Sequence, residues 1–174
     1  MHLYLIRHAQ ARPTGGAVRT DAERPLTRGG EQDAVSVGRV LAATDPEIGL
    51  ILTSPLTRAV QTGDRIAEVF DAPPERRITD NLAPGFRPGA IVEEILAIGS
   101  DAHVILIGHQ PDIGALLSRL VANGMRAAIA FGPGATAFLT ATPMGEKIDA
   151  QLQWLLTPRL AGPILEQMNS RRTP

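Results

Sequence analysis

The apolar positions of this chain gather into short runs that end abruptly, with helical periodicity between them. Leu3-Tyr4-Leu5-Ile6 stops at Arg7 and His8, and Pro13, Gly15 and Gly16 follow soon after. A short apolar run fits a buried helix as well as a strand. The charged stop and the breakers beyond it predict a buried strand emptying into a loop. The pattern returns twice. Gly49-Leu50-Ile51-Leu52-Thr53 runs into Ser54-Pro55, and His103-Val104-Ile105-Leu106-Ile107 runs into Gly108-His109-Gln110-Pro111. Between these runs Val37, Val40, Leu41 and Thr44 predict a helix over Arg28–Thr44, closed by Asp45-Pro46. A second helix is expected to open with Ser54 as N-cap and Pro55 in the first helical position. Leu56, Ala59, Val60, Gly63, Ile66, Ala67 and Phe70 form its apolar face, and Arg58, Gln61, Thr62 and Arg65 the opposite side.

Further along, Ile91, Val92, Ile95 and Leu96 mark a short helix ending near Gly99. Ile113, Leu116, Leu117, Leu120 and Val121 mark another, ended by Asn123-Gly124. Arg77-Ile78-Thr79 reads as a short edge strand, and Asp80 to Gly89 as irregular. Late strands are expected over Ala135–Ala141 and Ala150–Leu156, close enough to pair antiparallel at one edge. Ala11 to Gly30 is a polar loop of the length that often carries function. Strands alternating with helices predict an α/β fold, a mostly parallel central sheet with helices on both faces. One domain is expected over residues 1–161, with 162–174 as a loosely held tail.

Composition narrows the field. A net charge of −1 gives no global pull toward nucleic acid or an anionic membrane. With 3% aromatic residues there is no stacking platform for bases. The absence of cysteine excludes disulfides, thiolate metal sites and cysteine nucleophiles, and is compatible with a reducing compartment. Arg7 comes too early for a signal-peptide core. No uninterrupted apolar run approaches the ~20 residues that span a bilayer, and Arg119 and Arg126 break up the most apolar region. A soluble, cytoplasmic protein is expected. Lys147 is the only lysine among 17 basic residues, and arginine suits bidentate phosphate binding.

If the three strands are parallel, their junctions share one edge of the sheet, where ligands of open α/β sheets bind. Arg7, His8, Arg58 and His109 would then surround one pocket, with Ser54 beside them and two helix N-termini favouring anions. Singly, Arg7 also reads as a surface charge and His8 as a packed core histidine; the recurrence of the pattern decides between the readings. A phosphoryl group fits such a set. Arginine pairs with its oxygens, histidine can attack phosphorus, and the positive shell stabilises the transferring charge. The reading is a phosphate-handling site without cofactor. The four histidines form no spaced metal motif with carboxylates, so no metal is expected, and His2 and His103 read as a terminal and a strand-start residue. Gly132-Pro133-Gly134-Ala135-Thr136-Ala137 imitates a dinucleotide fingerprint but precedes a strand, and is discounted.

Leu5-Ile6-Arg7-His8-Ala9 resembles the Arg-His-Gly signature of the histidine phosphatase superfamily, with alanine in place of the commoner glycine. Ser54-Pro55-Leu56-Thr57-Arg58-Ala59-Val60-Gln61-Thr62 is similar to its Ser-Pro-x-x-Arg-x-x-Gln-Thr element, and Gly108-His109-Gln110-Pro111 to its second-histidine motif. Pro25-Leu26-Thr27-x-x-Gly30 and Trp154-x-x-Thr157-Pro158 resemble the SixA-type phosphohistidine phosphatases. The resemblance implies a three-layer α/β/α sandwich like that of phosphoglycerate mutase. It implies His8 as phosphorylated nucleophile, its imidazole oriented by a backbone contact, with Arg7, Arg58 and His109 binding the phosphoryl group. Ser54 would cap the helix carrying Arg58. The implied substrate is a phosphohistidine-bearing protein; a small phosphorylated substrate is the alternative, and a non-catalytic phosphate-binding module a lesser one. Many relatives carry an acidic residue after a central strand as general acid. Here that region reads Thr79-Asp80-Asn81-Leu82-Ala83-Pro84-Gly85, where Asp80 is the nearest candidate and also reads as a turn residue. Asp21, Glu23 and Asp112 are weaker candidates from other loops.

Overall fold

The structure is a computed structural model that describes residues 1–122 and 128–170. Its strands are β1 (His2–Arg7), β2 (Leu50–Thr53), β3 (Glu75–Ile78), β4 (His103–Gly108), β5 (Thr136–Met144) and β6 (Lys147–Leu156). Its helices are α1 (Arg28–Thr44), α2 (Thr57–Ala67), α3 (Pro88–Ile98), α4 (Asp112–Val121) and α5 (Pro158–Ser170). The strands form one six-stranded sheet in the order β3-β2-β4-β1-β5-β6. The first four in that order are mutually parallel, and β5 and β6 continue antiparallel at the far edge. The expected mostly parallel sheet with an antiparallel pair is what forms.

Side chains on a strand alternate between its faces, and here both faces are apolar. Leu3 and Leu5 of β1 and Val104 and Leu106 of β4 join one cluster with Ile91 and Ile95 of α3 and Leu116 and Leu117 of α4. Tyr4, Ile6, Ile105 and Ile107 join the other with Val37 and Leu41 of α1 and Ile66 of α2. This double burial is why the strands read as continuous apolar runs rather than alternating ones. The edge strand β3 is exposed throughout and carries Glu75, Arg76 and Arg77, charges that discourage further pairing.

Two boundaries and one buried face differ from expectation. Helix α2 begins at Thr57 with Leu56 as N-cap, so Ser54 does not cap it. Its buried residues include Arg58 and Thr62, which periodicity had placed outward. Residues 162–170 are the body of α5 rather than a loose tail, with Pro163 inside the helix, and 171–174 lie outside the described residues. Pro158 opens that helix, Ala161 is fully buried, and Leu165 packs with Val40 and Leu156, so docking outweighs the cost of an internal proline. The expected stop at Asn123-Gly124 lies outside the described residues. Among the described residues no helix is long and apolar enough to cross a membrane.

Candidate active site

Parallel pairing brings the strand ends together. Arg7 stands in register with Gly108, and Thr53 with Ile107. Past the strands, the His8 amide donates to the Gly108 carbonyl at 3.0 Å and the Ser54 amide to the Ile107 carbonyl at 3.0 Å. His8, Ser54 and His109 therefore leave from neighbouring points on one edge. The His8 and His109 ring centroids lie 5.0 Å apart. Arg58, in the first turn of α2, donates from Nε to His8 Nε2 at 3.1 Å. Arg7 is anchored on the other flank, its Nη1 donating to the Phe131 carbonyl at 2.9 Å. The expected convergence of Arg7, His8, Arg58 and His109 is what the structure contains.

The two ring nitrogens of His8 have different partners. Nδ1 lies 2.8 Å from the carbonyl oxygen of Ala9, which can only accept, so Nδ1 carries the proton. Nε2 is then the lone-pair nitrogen, and Arg58 donates to it. Ala9 is itself held, its amide donating to Thr62 Oγ1 at 3.1 Å while Thr62 donates to the Arg58 carbonyl at 2.6 Å. Thr62 thus ties the loop after β1 to the helix that carries Arg58. Ser54 Oγ lies 2.8 Å from His109 Nε2 and accepts from the Leu56 amide at 3.3 Å. That corrects its role: Ser54 stabilises a turn and orients His109. Two buried nitrogens of the site, Arg7 Nε and His109 Nδ1, have no hydrogen-bond partner among the described residues.

Electrostatics hold both imidazoles neutral. Burial pushes the His8 pKa down to about 4, and the Arg58, Arg7 and Arg24 charges lower it further against the opposing pull of the Ala9 carbonyl. Burial pushes His109 down to about 3, assisted by His8 and Arg58. Burial also lowers Arg7 from its ordinary value, but a guanidinium stays charged at any physiological pH.

Among the described residues one carboxylate touches this group, and it is Asp21 rather than Asp80. Asp21 Oδ2 accepts from Arg58 Nη2 at 3.0 Å, its backbone carbonyl accepts from Arg58 Nη1 at 2.7 Å, and Oδ1 accepts from Arg24 Nη1 at 2.9 Å. The Arg24 bond, with help from Arg58, holds Asp21 below the usual carboxylate range, so it is ionised. Asp80 is exposed and opens a 3₁₀ turn over Asp80–Leu82. Its neighbours Thr79 and Asn81 both donate to Glu94. Asp112 accepts from the Gly85 amide, and Glu23 from the amides of Arg19 and Thr20; neither joins the four.

The discounted Gly132–Ala137 segment has a structural explanation. The Gly134 amide donates to the carbonyls of Arg7 and His8, and the Ala135 carbonyl accepts from the Arg7 amide. Gly134 adopts φ +72°, and a Cβ there would lie 2.7 Å from Pro158 Cγ, so the turn needs glycine. Phe131 and the inward Thr62 were not assigned to the site by sequence reasoning, and Asp21 was named only as a weaker acid candidate. Thr62 had a signal: it follows Arg58 by four residues, on the same helical face.

Among the described residues one cluster of histidine and carboxylate is compact enough to hold a metal ion, His2, Asp45 and His103. It lies at the opposite edge of the sheet, where β1 and β4 begin.

Comparison with known proteins settles the family. The family model for the histidine phosphatase superfamily (branch 1) matches residues 3–83. An uncharacterised protein of Mycobacterium tuberculosis (strain ATCC 25618 / H37Rv) is 37% identical over 128 residues, covering 72% of this chain and 76% of that one. This chain belongs to the histidine phosphatase superfamily. A further relative within reach of that superfamily is the phosphohistidine phosphatase SixA of Escherichia coli (strain K12), 27% identical over 122 residues, 69% of this chain and 74% of that one. The solved structure of the protein histidine phosphatase SixA complexed with tungstate matches with a TM-score of 0.80 at 24% identity, covering 92% of this chain and 99% of that one. As a histidine phosphatase by family, the chain has phosphatase as its general activity.

Proposed function

We propose that this protein hydrolyses phosphohistidine on proteins through a phosphorylated His8. The carrying observation is the state of His8: neutral, its Nδ1 proton tied to Ala9, its Nε2 lone pair facing Arg58 and close to His109. The relative from Escherichia coli bears the name phosphohistidine phosphatase, which agrees with this reading. In it, Arg7 Nε and His109 Nδ1, both buried without partners, donate to the phosphoryl oxygens. Ser54 donates to His109 Nε2 and so keeps the proton on Nδ1. Arg58 turns from His8 and Asp21 to the incoming phosphoryl group, which frees Nε2. The substrate ring takes a proton from water on its free nitrogen; Nε2 then attacks phosphorus, the P–N bond breaks, and the ring leaves as neutral imidazole. A second water attacks phospho-His8, and neutral His8 and inorganic phosphate return.

The absence of a poised acid favours this substrate class. Asp21, the carboxylate at the site, is ionised, whereas an alkyl ester needs its leaving oxygen protonated. A positioned acid typically contributes ~10²–10⁴-fold to that step. A phosphohistidine ring takes a proton on its free nitrogen near the ordinary imidazole pKa of about 6.5 and then leaves as neutral imidazole without a positioned acid.

The test is a time course on a phosphohistidine protein beside a panel of phosphate esters. Expected are hydrolysis of phosphohistidine, weaker action on activated aryl phosphates and very little on sugar phosphates. His8→Ala should abolish turnover while the fold survives, and labelled phosphate should be trapped on His8. Trapping it on His109 instead would refute the assignment. Efficient alkyl phosphate cleavage that collapses in Asp80→Asn or Asp21→Asn would favour a small-molecule phosphatase.

A further inference from the structure

The amino edge of the sheet carries a second cluster unrelated to phosphate chemistry. His2 and His103 begin β1 and β4 and stand in register as parallel partners. Their rings lie 4.0 Å apart at the centroids, tilted by 31°. Asp45, at the C-cap of α1, sends a buried carboxylate to both: His2 Nδ1 is 2.9 Å from Oδ2 and His103 Nδ1 is 2.8 Å from Oδ1. Tyr4 donates its hydroxyl to Oδ2 at 2.7 Å. One potential ligand atom from each of His2, Asp45 and His103 lies within 4.8 Å of the others. The cluster opens onto a cavity of about 380 Å³ bordered by Phe138 and Trp154.

We propose that His2, Asp45 and His103 form a Zn²⁺ site, with the fourth position open to this cavity. Two imidazoles and one carboxylate are a donor set suited to zinc. A tetrahedral ion bound at ~2.0–2.2 Å sets its ligand atoms about 3.4 Å apart. The 2.8 and 2.9 Å contacts are to different oxygens of Asp45, so binding one ion opens the short contacts by about half an ångström and draws the wider ligand pairs, within 4.8 Å at present, in toward that spacing. Each Nδ1 proton transfers to its own Nε2 by exchange with solvent, leaving neutral imidazoles with Nδ1 on the metal and no net proton released. Tyr4 keeps its bond to Asp45 and holds the carboxylate from behind, the usual outer support of a metal ligand. As a plain hydrogen-bonded cluster the same residues would satisfy Asp45 without needing a cavity at their side. An ion here ties the starts of β1 and β4 to the end of α1, far from His8.

The experiment uses the full chain without a polyhistidine tag. Co²⁺ is titrated first, read by the visible absorption of tetrahedral cobalt, and Zn²⁺ then displaces it. One saturable site is expected, with a rise in Tm on Zn²⁺ addition. Tyr4→Phe should weaken binding by ~10–100-fold. His103→Gln should abolish it, with folding checked by circular dichroism. Should that variant unfold, His2→Gln gives the same answer at a side chain that is 36% exposed. His8→Ala should bind the metal as the unaltered chain does. The proposal is overturned if no saturable binding appears at 100 µM metal, if both histidine variants of the cluster bind normally, or if His8→Ala loses the site.

Discussion

At the scale of single residues, His8 divides its work between its nitrogens, and the division sets a pH profile. Its pKa of about 4 leaves Nε2 unprotonated at neutral pH. The value of kcat/KM should therefore hold from neutral pH down to about 5 and fall as pH approaches 4. A fall centred near 6.5, the ordinary imidazole value, would mean that burial does not govern this residue. Asp21 makes a second prediction, because it occupies the Arg58 donors that a phosphoryl group needs. Its side chain is 59% exposed, so the ion pair is worth only ~0.5–1 kcal/mol. Asp21→Asn should accordingly tighten inhibition by inorganic phosphate by about 2–5-fold, and unchanged inhibition would remove Asp21 as a competitor. The four converging side chains were legible because each follows an apolar run or opens the helix after one. Asp21 was legible only as a weaker acid candidate; its hold on Arg58 was not, since it lies mid-loop and reaches Arg58 only through the folded path of that loop. Asp45 was hidden for the same reason: it read as a helix stop, and nothing local announces that β1 and β4 will deliver His2 and His103 to it.

At the scale of elements, α2 is the part that needs accurate seating, because it carries Arg58 and Thr62 together. Gly38 of α1 is where it rests: a Cβ there would lie 2.9 Å from Val69 Cγ2 and 3.0 Å from the Ile66 Cα. Gly38→Ala should cost ~1–3 kcal/mol as an overpacked contact, read by urea denaturation, and should lower kcat/KM as Arg58 shifts. An unchanged stability would show that the two helices have slack. Periodicity gave the extent of α1 correctly, since one face of it is apolar and one polar. It misjudged α2 because this helix buries a polar edge as well as an apolar one, and a buried arginine looks the same in sequence as an exposed one. It missed α5 because Gly162 and Pro163 are breakers by propensity, and only packing against α1 overrides them.

At the scale of the whole molecule, the buried histidines link catalysis to stability. The unfolded chain takes up protons on them near pH 6.5, while the folded chain resists until about 4 for His8 and about 3 for His109. The unfolded state thus binds more protons across that window, so their contribution to stability is full above about pH 6.5 and is lost as pH falls toward 4 and below. His8→Asn should flatten the decline of Tm between pH 6.5 and 4, and an unaltered slope would assign acid sensitivity to other groups. The strand order has a consequence of another kind, for the time at which the molecule becomes an enzyme. β1 is made first but lies between β4 and β5. At about 5–20 residues per second, the ~100 residues separating His8 from His109 take roughly 5–20 s to synthesise. Throughout that interval the emerging chain displays an apolar segment with both hydrogen-bonding edges open, a hazard for mispairing. A fragment ending near residue 83, where the family match stops, owns a nucleophile and no place to use it. Activity arrives in one late step, after the ribosome has delivered the strand that sits beside the first one.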